Sequence, residues 1–267
     1  MFWFRRDLFR NKFNETIRFP QVCIALQPIV SLKTKQVYAY EALCRGVNGE
    51  NYPQLAAKCG PRGTGALDRV CAAKALQLAA KLGVTRTGAK LSLNMRPSTD
   101  GDALNIRYIA RAAQHFGIQM QDIIVELTEE NKVSSDELRA ILRRHQMAGV
   151  ATAIDDFGAG YAGLNLMAVC PPDMLKIDRE LVHGIDSSEV RQTIVNGFVA
   201  VCHKLGSKVV VEGVETVAEY ETLRDIGIDL MQGNLFAAPG LECAPVPVME
   251  FGRDIAQMPS MVPAIAV

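Results

Sequence analysis

Polar side chains recur at the ends of short apolar segments along this 267-residue chain. The apolar run at 150–154 leads directly into Asp155 and Asp156, and other runs end in an acid, an amide or a lysine. Because the carboxyl ends of parallel strands meet at one rim of a barrel, we expect these side chains to lie together. In chain order the set is Glu41, Asn94, Glu126, Asp155, Asp156, Lys176 and Glu212.

The residue types in this set predict a metal centre. Several carboxylates close together repel one another or take up protons unless cations neutralise them. The available ligands are all oxygen atoms, which favours Mg²⁺ or Mn²⁺ over zinc or copper. The adjacent acids Asp155 and Asp156 can hold two ions, as in hydrolases that activate water and stabilise the entering and leaving oxygens of a phosphoryl group. We expect Ca²⁺ to inhibit, because its larger and looser coordination shell misplaces the attacking water.

The segments around these positions alternate between strand and helix patterns. Strands are predicted at 22–30, 36–43, 90–94, 122–127, 150–155, 173–178, 207–213 and 230–236. Helices are predicted at 68–82, 103–116, 134–146, 187–205 and 216–226. About eight apolar strands separated by helices fit an α/β fold of the closed TIM type, a (β/α)8 barrel. An open doubly wound sheet is less favoured, because no glycine-rich dinucleotide fingerprint follows an early strand.

The composition narrows the range of partners. Lys and Arg together number 29, as do Asp and Glu, so the formal net charge is zero. DNA binding requires a surplus of basic residues and is therefore not expected. The seven cysteines form no C-x-x-C pair, which predicts free thiols and a reducing, cytoplasmic location. No apolar run reaches the roughly 18 residues of a membrane helix, so no transmembrane segment is expected.

The two ends of the chain differ in character from the middle. Residues 1–21 are rich in aromatic and basic side chains, which fits a segment that docks a regulatory protein partner. An amphipathic helix packed on the domain, or a loose terminus, fits the same composition. We therefore divide the chain into this segment, a main domain at 22–243 and a C-terminal helix or tail at 244–267.

Eight motifs follow one another in an order that resembles EAL-domain cyclic di-GMP phosphodiesterases. They are QPIV (27–30), YEALCR (40–45), LSLN (91–94), VELTE (125–129), DDFGAG (155–160), LKID (175–178), VEGVET (211–216) and QGNLFAAP (232–239). The chain looks most like the EAL domains of BLUF-type photoreceptor proteins, although we expect no sensor domain before residue 22. The resemblance implies a modified (β/α)8 barrel with an antiparallel first strand. It also implies metal-dependent hydrolysis of cyclic di-GMP to linear pGpG.

The resemblance also implies roles for individual residues. The ligands of one metal ion correspond to Glu41, Asn94, Glu126 and Asp155. The ligands of the second ion correspond to Asp155, Asp156 and Glu212. The catalytic residues correspond to Glu41, Asp156, Lys176 and Glu212, and Lys176 matches the lysine that orients the hydrolytic water. The substrate-binding residues correspond to Gln27, Leu43, Arg45, Asn94, Asp178, Glu215, Gln232 and Pro239, and Arg45 matches an arginine that faces a phosphate.

The loop after the Asp pair carries a further expectation. Glu129 corresponds to the glutamate that braces this loop, and in the family the loop connects to a dimer interface, so a homodimer is expected. Ala159 stands where many relatives have threonine, which removes a hydrogen bond of about 1 kcal/mol. An active phosphodiesterase is the leading interpretation. The alternatives are a catalytically weak or inactive receptor for cyclic di-GMP or a partner protein, and an unrelated barrel enzyme with one metal.

Overall fold

The computed structural model describes residues 20–96, 102–128, 134–157, 167 and 171–251. Its strands β1 to β9 are, in order, Val22–Ser31, Gln36–Gly46, Lys90–Met95, Ile123–Thr128, Ala151–Phe157, Met174–Ile177, Lys208–Val211, Leu230–Gln232 and Gly240–Leu241. The sheet order is β2-β3-β4-β5-β6-β7-β8-β1, and β1 also pairs with β2, so the first eight strands close into a barrel. The short β9 adds to β1.

Strand direction confirms the predicted modification of the barrel. Strand β1 is antiparallel to both of its barrel neighbours, β2 and β8. Every other pairing from β2 round to β8 is parallel. The carboxyl ends of β2 to β8 therefore meet at one rim, and the amino-terminal half of β1 reaches the same rim.

Five of the six described α-helices correspond to predicted segments, one of them with an earlier start, and one short helix was not predicted. Helices α1 to α6 are Tyr52–Leu82, Asp102–Phe116, Ser135–Met147, Arg179–Val182, Glu189–Leu205 and Val217–Ile226. Helix α1 begins well before the predicted residue 68, with a capping box between Asn51 and Gln54 and a non-helical Gly60 within it. Ser134 caps the start of α3 through its side chain, and Gly206, which has a φ of 76°, ends α5.

An apolar layer inside the barrel lies directly beneath the polar positions. This layer consists of Ile29, Ala39, Ile124, Ala153, Met174, Val210 and Leu230, all buried. Side chains on a strand alternate between its two faces, so residues two positions apart point to the same side. Ile124 therefore precedes Glu126 on the inner face, and Met174 precedes Lys176. The same alternation explains why the polar groups form a second inner layer nearer the rim.

A buried glutamate ties the loop after β7 to the start of α6. Glu219, 2% exposed, accepts hydrogen bonds from the backbone N–H groups of Gly184, Glu215 and Thr216 at 2.9–3.1 Å. Burial tends to raise the pKa of Glu219, but these N–H groups outweigh it and lower the pKa below its ordinary value. The ionised carboxylate thus fixes the loop that carries Glu215.

The segment after β9 packs back on the barrel. The Tyr40 hydroxyl donates to the Pro245 carbonyl oxygen at 2.9 Å, and the Phe251 ring lies 5.0 Å from that of Tyr220. Residues 244–251 contain no helix, and 252–267 lie outside the described residues, as do 1–19. The domain boundaries at 21 and 243 therefore stay predictions. Within the described part of the chain, no helix is both long and apolar enough to cross a membrane.

Replacing Gly233 with alanine should destabilise the barrel. An added Cβ at this position, next to β8, would lie 2.0 Å from the backbone oxygen of Val214, which cannot move independently. We expect Gly233→Ala to lower the free energy of unfolding by about 3 kcal/mol, measured by urea denaturation. The control is Gly197→Ala in α5, where an added Cβ meets nothing within 4 Å. This substitution should raise the free energy of unfolding by about 0.5–1 kcal/mol. Equal stabilities for the two variants would contradict this packing.

Candidate active site

Four carboxylates surround the ammonium group of Lys176 inside the barrel. The Lys176 Nζ lies 2.7 Å from Glu126 Oε2, 3.0 Å from Asp155 Oδ1 and 3.5 Å from Glu41 Oε2. It also contacts Glu212 Oε1. The Lys176 side chain is 1% exposed, as is that of Glu126. These residues come from β2, β4, β5, β6 and the end of β7, so the barrel brings the predicted set together.

Neutral donors orient two of these carboxylates. Asn94 Nδ2 donates to Glu41 Oε1 at 2.7 Å, and Gln232 Nε2 donates to Glu41 Oε2 at 2.8 Å. The Ser92 hydroxyl donates to Glu126 Oε1 at 2.6 Å. Each glutamate is therefore held through both of its oxygens, once Lys176 is included. A site held in this way is preorganised and loses little freedom when a ligand binds.

The charge on Lys176 persists because of its surroundings. Burial alone would lower the pKa of Lys176, but the carboxylates of Asp155, Glu126, Glu212 and Glu41 raise it well above its ordinary value. The site therefore keeps a fixed positive charge at physiological pH.

The carboxylates respond differently to the same environment. Burial raises the pKa of Glu126 to about 8, and the nearby Glu41 carboxylate adds to this effect. Burial also raises the pKa of Glu212 well above its ordinary value, against the opposing effect of Lys176. At Glu41 burial acts in the same direction, but Lys176 and the hydrogen bonds from Gln232 and Asn94 outweigh it and lower the pKa. The same buried surroundings thus favour the ionised form of Glu41 and disfavour that of Glu126 and Glu212.

The cluster carries more acidic than basic groups, and two of its buried oxygens have the Lys176 ammonium as their one partner within the described chain. These are Asp155 Oδ1 and Glu212 Oε1, which form ion pairs with Lys176 and no further hydrogen bond. Oxygen donors of this kind suit Mg²⁺ or Mn²⁺. Among the described residues, however, no three Asp, Glu, His or Cys side chains are arranged to hold one ion. The Lys176 ammonium lies between the carboxylates and contacts all four of them.

A cleft of about 640 Å³ opens above the cluster. Of the residues predicted from the sequence, those that line it are Gln27, Glu41, Leu43, Arg45, Asn94, Asp155, Glu212, Glu215, Gln232 and Pro239. Glu126 and Lys176 lie in the buried polar layer and are not among the lining residues. The cleft therefore joins a charged base to a wall that carries amides and arginines, a form typical of ligand sites.

One predicted position, Asp178, lies apart from this arrangement. Asp178 is not among the lining residues; its carboxylate caps α4 by accepting from the backbone N–H of Glu180 at 2.8 Å. The side chain of Asp156 and all of Glu129 lie outside the described residues, as does the 158–160 loop. Their predicted roles stay predictions.

A polar group on the cleft wall was not predicted from the sequence. Tyr52 donates a short hydrogen bond to the buried Asp68, and Arg96 Nη2 lies 3.5 Å from Asp68 Oδ2. The Arg96 guanidinium also lies 5.4 Å from the centre of the Tyr52 ring. Tyr52 and Asp68 belong to α1, whose first half carried no recognised helix pattern. The available signal was Arg96, a charged residue two positions after Asn94.

The closed barrel and its acidic, oxygen-lined cleft define a TIM-type protein with a site at the carboxyl ends of the strands. The EAL domain model matches residues 10–239, and the chain therefore belongs to the EAL domain family. Among curated relatives it is 31% identical over 226 residues to the blue light- and temperature-regulated antirepressor BluF of Escherichia coli, covering 83% of this chain and 55% of that protein.

Further relatives and solved structures support the same family. The chain is 30% identical to the cyclic di-GMP phosphodiesterase NbdA of Pseudomonas aeruginosa, covering 86% of this chain and 30% of that one. A standalone EAL protein of Vibrio cholerae in its c-di-GMP-bound form is 35% identical, with a TM-score of 0.80 over 86% of this chain and 97% of that one. A manganese/cy-diGMP complex of Klebsiella pneumoniae BlrP1 is also 35% identical, with a TM-score of 0.78; the match covers 84% of this chain and 58% of that one. The chain thus spans about half or less of the length of the curated relatives named here.

Removing the central ammonium should destabilise the metal-free protein. Lys176→Met leaves the surrounding carboxylates without their buried counter-ion, which we expect to lower the free energy of unfolding by about 3–5 kcal/mol in the presence of a chelator. Added Mn²⁺ should restore part of this loss. The control is Lys208→Met. The Lys208 side chain is exposed, and within the described part of the chain its ammonium group contacts the hydroxyl and the ring of Tyr38. A Lys176→Met protein that unfolds like the wild type in chelator would contradict the role assigned to Lys176.

Proposed function

We propose that this chain hydrolyses cyclic di-GMP to linear pGpG with the help of two divalent metal ions. The observation that carries the proposal is the buried cluster of Glu41, Glu126, Asp155 and Glu212 around Lys176 at the base of an open cleft. In this reaction water adds to one phosphorus, one P–O ester bond of the ring breaks, and a linear dinucleotide leaves. The names of the relatives and the bound ligands of the similar structures support this substrate.

The residues that would hold the ions are the acids and the amide at the ends of the strands. They are Glu41, Asn94, Glu126, Asp155, Asp156 and Glu212, and the buried oxygens of Asp155 and Glu212 that face only the Lys176 ammonium are the strongest support. When bound, a pair of Mg²⁺ or Mn²⁺ ions supplies activated water and stabilises the entering and leaving oxygens.

The protein's own side chains supply orientation and positive charge. Lys176 Nζ is a fixed donor that can hold the hydrolytic water and offset negative charge on the phosphate. Arg45 lines the cleft above, and its Nη1 donates to the Cys44 carbonyl oxygen at 3.0 Å, which restrains its direction. A guanidinium placed in this way suits a phosphate group. Gln27 and Gln232 are hydrogen-bonded to each other at 3.1 Å and present amides to the same space.

The remaining expectations belong to the same proposal. Leu43 and Pro239 line the cleft and supply apolar contact for a nucleobase, and Glu215 lines it while paired with Arg179 at 2.9 Å. A homodimer, a regulatory partner for residues 1–21 and a cytoplasmic location are proposed on the family resemblance and composition alone.

A second candidate is a receptor that binds cyclic di-GMP or a protein partner without appreciable turnover. The observation in its favour is the name of a relative, since BluF is described as an antirepressor rather than an enzyme. The central position of the Lys176 ammonium among the carboxylates fits this candidate as well, because it neutralises part of the site without metal.

The direct test is hydrolysis of cyclic di-GMP by the purified chain, with the products separated by chromatography. With Mg²⁺ or Mn²⁺ we expect pGpG, and we expect Glu41→Gln to lower kcat at least about 100-fold by removing a held carboxylate. The matched control is Glu180→Gln, an exposed glutamate at the start of α4. If the chain binds cyclic di-GMP but forms no pGpG with any metal, the proposed hydrolysis is wrong and the chain is a receptor.

Substitution of the metal separates binding from turnover. With Ca²⁺ in place of Mg²⁺ we expect cyclic di-GMP to bind while hydrolysis stops, because the looser calcium shell does not hold the attacking water in line. Calorimetry measures the binding and chromatography measures the product. Full activity in Ca²⁺ would contradict the proposed two-metal geometry.

A further inference from the structure

Two cysteines face each other in the wall of the cleft. Cys44 lies in β2, between Leu43 and Arg45, and Cys71 lies on the covering helix α1. Their Sγ atoms are 2.7 Å apart, and both residues line the cleft. Cys44 is 7% exposed and Cys71 is partly exposed. A small solute in the cleft can therefore reach the pair from the same side as a ligand.

The separation of these sulfur atoms is close to that of a covalent bond. A disulfide has an S–S length of about 2.05 Å, so the two atoms need to approach by only a fraction of an ångström. The Cys71 thiol donates a hydrogen bond to the Cys44 sulfur, which lowers the pKa of Cys44 and raises that of Cys71. Cys44 is thus the sulfur better prepared to act as a nucleophile.

The surroundings favour a thiol pair over a metal site. Among the described residues, no three His, Cys, Asp or Glu side chains are placed to hold a metal ion. Cys59 also lies on α1 and is partly exposed. Within the described residues, its sulfur makes no hydrogen bond to another cysteine like the one between Cys71 and Cys44. Cys59 is therefore a suitable control cysteine.

We propose that Cys44 and Cys71 form a modification site that a hydroperoxide converts to a disulfide. The Cys44 sulfur attacks one oxygen of the peroxide, the O–O bond breaks, water leaves and a sulfenic acid forms. The Cys71 sulfur then attacks the Cys44 sulfur, the S–O bond breaks, a second water leaves and the S–S bond forms. Overall the protein loses two hydrogens and hydrogen peroxide is reduced to two waters.

The disulfide would join the strand that carries Glu41 and Arg45 to the helix that covers it. Strand β2 supplies both of these residues on the side that faces the cleft. A covalent link at Cys44 fixes the rim of β2 against α1 and removes two thiol groups from the cleft wall. The site therefore couples the oxidation state of the protein to the wall of its ligand cleft.

To test this, the purified, reduced chain is treated with hydrogen peroxide, and mass spectrometry measures its intact mass and its peptide map. In the wild type and in Cys59→Ser we expect the loss of two hydrogens and a cross-linked peptide pair that contains Cys44 and Cys71. In Cys44→Ser and in Cys71→Ser we expect no such pair. The oxidised wild type should also unfold at a temperature roughly 5–10 °C higher. A wild-type protein that gains only oxygen atoms, or a cross-link between other cysteines, would overturn the proposal.

A second experiment, which rests on the proposed function, measures whether cyclic di-GMP protects the two cysteines, and its result is judged separately. Cyclic di-GMP with Ca²⁺, at ten times its Kd, should slow formation of the disulfide about tenfold because the ligand covers the cleft. A disulfide that forms at the same rate with and without the nucleotide would confirm the thiol pair and contradict the assignment of the cleft as the cyclic di-GMP site.

Discussion

The rest of the structure depends on the ion pairs between Lys176 and the carboxylates inside the barrel. An ammonium that is 1% exposed is costly to bury unless charged partners lie on every side. Those partners come from strands far apart in sequence, so they meet only when the sheet closes with the observed pairing. A one-residue shift of any contributing strand would turn its acid out of the barrel and place an apolar side chain at the polar layer.

The reversed first strand extends this arrangement to the cleft. Strand β1 runs opposite to its neighbours, and its register places Gln27 opposite Glu41 of β2. Gln27 accepts a hydrogen bond from Gln232, which also donates to Glu41. The β7–α6 loop is held from outside by the buried Glu219. Charge at the centre and hydrogen bonds at the edge thus fix one continuous site.

The barrel and the charged base of its site were predicted from simple periodicities, whereas the reversed first strand and the residues of the cleft wall were predicted from the family resemblance. Polar residues close apolar strands, parallel strands end at one rim, and alternate residues share a face, which places Glu41, Glu126 and Asp155 together. The first half of α1 was not predicted, because Pro53, Gly60 and Pro61 interrupt its helical pattern. The Cys44–Cys71 contact and the Arg96–Asp68 pair depend on how that helix packs, so side-chain spacing alone could not reveal them. The capping role of Asp178 likewise depends on where α4 begins.

The central claim is that this oxygen-lined cluster binds divalent cations. The most direct measurement is a titration of the metal-free protein with Mn²⁺, with free Mn²⁺ followed by electron paramagnetic resonance. The account predicts that each chain takes up a pair of ions and that Asp155→Asn, which keeps the shape of the side chain but removes its charge, loses at least one of them. Wild-type protein that takes up no Mn²⁺, or Asp155→Asn protein that binds as the wild type does, would contradict it.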